Sequence, residues 1–81
     1  MTSEYEDALA AANAAKDNET YKNITGAELT ALTNAINDKP QNTVASYKEK
    51  TEALIEATKA FTEPSVVSAY DAYAAERPLL K

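Results

Sequence analysis

Between Thr43 and Thr62 the chain carries a spacing that few folds accommodate: Val44, Tyr47, Thr51, Leu54, Thr58 and Phe61 recur at alternating intervals of three and four. On an α-helix these positions fall on one face, the inward stripe of a helix packed against others. The pattern predicts a long helix starting at Asn42 or Thr43. Ala45, Glu49, Glu52, Glu56 and Ala60 fall toward the other side and are expected in solvent, with Glu56 and Lys59 close enough for a weak exposed ion pair. A stripe of this kind draws its stability from tertiary packing, so the rest of the chain must supply facing helices.

It supplies three. A first helix is predicted from about Ser3 to Asp17, with Ser3 as cap, Glu4, Glu6 and Asp7 complementing its positive end, and Tyr5, Ala8, Leu9, Ala12 and Ala15 facing inward. Asp17-Asn18-Glu19-Thr20 breaks the pattern, and Tyr21 and Ile24 are expected to tuck the connection against the bundle. Thr25-Gly26-Ala27-Glu28 fits a capping box, opening a helix with Leu29, Leu32, Ala35 and Ile36 on one face. That helix should fail near Asp38, because Pro40 disfavours helical geometry at Lys39. Thr62-Glu63-Pro64-Ser65 ends the long helix and starts another, with proline in its first turn and Val66, Val67, Tyr70, Tyr73 and Ala74 along it up to a break before Pro78.

One glycine and three prolines in 81 residues contradict a turn-rich β architecture. Of the 36 hydrophobic residues 17 are alanine, so close helix packing is expected rather than a thick core. Ala8-Leu9-x-x-Ala12, Ala31-Leu32-x-x-Ala35 and Ala53-Leu54-x-x-Ala57 repeat one unit mid-helix, a leucine knob flanked by alanines that let a facing helix approach. The expected fold is all-α: a small antiparallel helical bundle of three core helices, plus a fourth helix over about 64–77 that is either packed or connecting. The whole of 1–81 reads as one domain.

Cysteine is absent, which removes disulfides, thiolate nucleophiles and zinc–sulfur sites; histidine is absent too, and with it the commonest neutral-pH proton shuttle. A pair of catalytic carboxylates requires one held protonated in a pocket, for which a chain of this length has little room. Glu49, Glu52, Glu56 and Glu76 instead read as solvated helix charge. Asp17-Asn18-Glu19 and Asn37-Asp38 do not complete a calcium-loop pattern, so neither metal nor cofactor is expected. Asn18-Glu19-Thr20 and Asn23-Ile24-Thr25 satisfy the glycosylation acceptor rule and mark an exposed loop. The net charge of −5, with dispersed basic residues, argues against nucleic acid. No apolar run approaches the roughly 20 residues that span a bilayer, so no membrane insertion is expected. Met1 to Ala15 lacks signal-peptide features, while Glu76 to Lys81 reads like a chain cut in passage, so an export signal is expected upstream in a longer parent.

Leu9 and Ala12, then Tyr21, then Leu29, Leu32, Ala35 and Ile36, and finally Thr43, Tyr47, Leu54, Ala57 and Phe61 form a pattern over roughly residues 5–61. It resembles the FIVAR family, helical modules "found in various architectures" of bacterial surface proteins and some extracellular carbohydrate-active enzymes. Gly26 and Ala27 stand where the family often has tryptophan after serine. The resemblance implies a noncatalytic module of a larger exported protein, extracellular or at the cell surface, with neighbouring domains of the same parent as its partners.

Tyr21, Tyr70 and Tyr73 are the candidate ligand or partner surface, because an aromatic ring can stack on a sugar or anchor a protein while its hydroxyl stays wet. Tyr70 with Val66, and Tyr73 with Ala69, also fall at ordinary core spacing. The leading expectation is a spacer, presentation or protein-interaction module. The alternatives are a carbohydrate-binding accessory module and, from Tyr21-Lys22-Asn23-Ile24 beside a helix start, an albumin-binding helical module.

Overall fold

A computed structural model describes residues 2–76, over which the chain forms four α-helices, one 3₁₀ turn and no strand. The helices are α1 (Thr2–Asp17), α2 (Ala27–Asn37), α3 (Val44–Phe61) and α4 (Pro64–Glu76), with the turn Glu19–Tyr21 between α1 and α2. The expected break before Pro78 lies outside the described residues.

The long helix starts where its cap dictates. Thr43 is extended, its Oγ1 accepts from the Ser46 N–H at 3.1 Å, and Ser46 Oγ accepts in turn from the Gln41 N–H at 2.8 Å. Along the inward stripe Leu54 and Phe61 are buried, and the Thr58 hydroxyl is satisfied within the helix. Thr58 Oγ1 donates to the Leu54 carbonyl at 2.7 Å, and Thr62 Oγ1 to that of Thr58 at 2.9 Å. Val44 departs from the expectation. It is 66% exposed, because as the first residue of α3 it lies on the open side of the seam with α1.

Tyr5 meets Tyr47, while Ala8 and Ala11 lie beside Ile55 and Thr58, so α1 and α3 run in the same direction and α2 returns between them. In α1 the buried residues are Tyr5, Ala8, Ala12 and Ala15. Leu9, expected inward, is only half-buried. The repeated leucine unit therefore plays two parts. Leu32 and Leu54 are fully buried knobs on α2 and α3, whereas α1 turns its alanines to the same core and leaves room for them. Ser3, expected as a cap, sits inside the first turn because α1 is already helical at Thr2.

Ile24, only 3% exposed, pins the connection to the core, and the Asn18 side chain caps the 3₁₀ turn by accepting from the Thr20 N–H at 2.9 Å. The expected capping box at the start of α2 is not formed. Gly26, not Thr25, is the cap residue and makes no side-chain cap bond, while the Glu28 carboxylate is committed to Tyr70 on α4. At the other end of α2, Lys50 of α3 donates to Asp38 at 2.8 Å. This bond holds the Lys50 pKa above its ordinary value. Glu56 and Lys59 form no ion pair; the lysine–glutamate contacts among the described residues include Lys22 with Glu19 at 3.5 Å and Lys50 with Glu49 at 3.4 Å.

No residue of α4 is buried among those whose side chains are described. Val66, Val67 and Tyr70 are half-buried against the edge of the core. The molecule measures 51 × 17 × 16 Å, whereas the 18 residues of α3 span only about 27 Å. α4 therefore extends the rod instead of adding a fourth layer beside the other three helices.

Candidate functional site

The three candidate tyrosines do not form one platform. Tyr21 belongs to the 3₁₀ turn and is half-buried, its ring centroid 5.8 Å from that of Phe61 and tilted by 57°. That contact closes the end of the core where α3 stops, and it leaves Tyr21 a structural part.

Tyr70 is the attachment point of α4. Its hydroxyl donates to Glu28 Oε1 at 2.8 Å and rests on Gly26, where a Cβ would collide with the hydroxyl. The single glycine of the chain thus has a steric reason: the backbone before α2 must admit the tip of a tyrosine that lies 44 positions later. At the next residue, Asp71 Oδ1 accepts from the Asn23 side-chain amide at 3.0 Å. The bond to Glu28, reinforced by partial desolvation and the nearby negative charge, raises the Tyr70 phenol pKa above the ordinary tyrosine range, with the Gly26 backbone N–H acting in the opposite direction.

Only Tyr73 presents substantial ring surface to solvent, at 55% exposure. Tyr70 and Tyr73 are therefore divided in role, one clamped to α2 and the other outward. Asn18 and Asn23 spend their side-chain amides on a cap and on Asp71, so both sit in bonded loops.

A second surface was not among the expectations from sequence. Val44 and Ile55, the other large exposed apolar side chains, both line the groove between α1 and α3 on the side opposite the α2 packing face. Its hydrophobic signal was hidden because Ile55 sits among Glu52, Glu56 and Lys59, in sequence that reads as solvated. Among the described residues no side chain of polar or charged type is buried, no group of three or more acidic residues is placed to hold a metal, and no helix is long and apolar enough to cross a membrane. Compared with known protein families, curated proteins and solved structures, the chain finds no match.

Proposed function

We propose that the chain is a noncatalytic spacer or presentation module, FIVAR-like, within a larger exported bacterial surface protein. The observation that carries the reading is the rod: 51 Å long and 17 × 16 Å across, with a fourth helix that adds length and is fastened by side chains. A fixed rod keeps neighbouring domains apart at constant distance, whereas a flexible linker of equal length samples many. The sequence supports a noncatalytic role as well, since it has neither histidine nor cysteine, and its described carboxylates lie at the surface.

A carbohydrate-binding role has one observation in its favour, the exposed ring of Tyr73. Titration with a panel of glycans, followed by NMR at Tyr21, Tyr70 and Tyr73, separates the two. The spacer reading expects no saturable shift up to millimolar sugar, a range that already admits binding of about 4 kcal/mol. Saturable shifts centred on Tyr73 would replace it with the carbohydrate reading.

A further inference from the structure

The groove between α1 and α3 combines exposed apolar side chains with charges of both signs. Its floor is formed by the small side chains Ala8 and Ala11 of α1, which let another helix come close. Its α3 wall carries Val44 and Ile55, 66% and 53% exposed, and Ile55 borders two hollows of about 400 and 380 Å³ along this trough. α2 covers the opposite side of the same helix pair, so this is the side of the bundle still open to a further helix.

Charge decides which helix. The chain carries a net charge of −5, yet the trough is balanced, with Glu4 and Glu52 against Lys48 and Lys59. A strongly basic or acidic partner would find no complementary field there. Glu52 and Lys59 have opposite sign and lie one heptad apart on the same flank of the α3 stripe. A two-fold axis across α3 between them sets Glu52 of each copy opposite Lys59 of the other and brings the two Ile55 side chains together at the centre. Such an isologous contact makes every favourable pair twice.

We propose that this face is a homotypic contact, in which a second copy of the chain lays its α3 antiparallel along the first. A dyad at Ile55 leaves Val44 beyond the end of the partner's α3, so Ile55 is the one large exposed apolar residue each copy brings to the contact, which is therefore weak and suited to lateral pairing of modules held at high local concentration. The proposal is independent of what the parent protein does.

The test is sedimentation equilibrium of the isolated chain over a concentration series reaching millimolar, with four variants. The wild type is expected to shift from monomer toward dimer. Ile55→Asp should weaken the association by about tenfold or more, since it places a charge at the dyad. Glu52→Lys and Lys59→Glu should each weaken it, and the double variant Glu52→Lys/Lys59→Glu should restore it, which no effect on the monomer's fold would reproduce. All three substituted positions are exposed, and unchanged helical circular dichroism verifies each variant. A monomer at every concentration, or a dimer indifferent to Ile55→Asp, or failure of the double exchange to rescue, overturns the proposal.

Discussion

Two tyrosine hydroxyls show how differently one chemical group is used in this chain. Tyr5 is buried edge-on against Tyr47, with ring centroids 5.6 Å apart and planes at 88°, and its hydroxyl has no hydrogen-bond partner. A buried donor left unpaired costs on the order of 1–3 kcal/mol. Tyr5→Phe, which keeps the ring and removes the oxygen, is therefore expected to hold or raise the melting temperature. A clear loss of stability would show that the hydroxyl is satisfied in solution. Tyr70 is the opposite case. Its folded-state pKa lies above the unfolded value, so the clamp to Glu28 is fully present below about pH 10 and is lost as pH rises through the elevated folded value. Phenolate absorbance, compared with that of Tyr70→Phe, should place this titration above that of a free tyrosine. A normal or lowered value would mean that the Glu28 bond does not persist. In hydrogen exchange, Tyr70→Phe and Gly26→Ala should each loosen α4 while leaving α1 to α3 protected.

Within the elements, the burden falls on a few large residues and on the alanines that make room for them. Leu54 is fully buried on α3, and Leu54→Ala should destabilise by about 2–5 kcal/mol in denaturant unfolding. Near-wild-type stability there would move the core elsewhere. Ala12 is equally inaccessible on α1, so Ala12→Leu, although leucine is a good helix former, should cost about 1–3 kcal/mol by forcing the helices apart. The first of these was legible from periodicity, as were the burial of Phe61, the Thr43 start and the failure of α2 near Asp38, because each depends on residues within one helix or its cap. Other features were not. Thr25 to Glu28 has the local form of a capping box, but Glu28 is claimed by a phenol 42 residues away. Val44 continues the inward stripe in register, yet it lies on the open side of the seam between α1 and α3. Leu9 fits the leucine unit of α2 and α3, but α1 is rotated to offer alanine. Of the candidate tyrosines, local spacing marked all three and could not tell the clamp, Tyr70, from the exposed ring, Tyr73.

At the scale of the whole molecule, a rigid spacer requires α4 to hold a constant direction from the three-helix core. Its apolar contacts are only half-buried, so its position relies on Tyr70 with Glu28, Asp71 with Asn23, and the short Thr62–Glu63 connection into Pro64. In that connection the Glu63 carbonyl accepts from both the Val66 and Val67 N–H groups at 3.0 Å, fixing the restart of the helix. The absence of native cysteine allows two spin labels to be placed without background, at the exposed positions Glu6 on α1 and Ala72 on α4. The distance distribution between them, measured by pulsed electron paramagnetic resonance, is the most direct test of a rigid spacer. One narrow peak, broadened when Gly26→Ala is added, is the predicted result. A broad distribution in the unmodified background would contradict it, since a helix that swings freely cannot set the spacing of neighbouring domains.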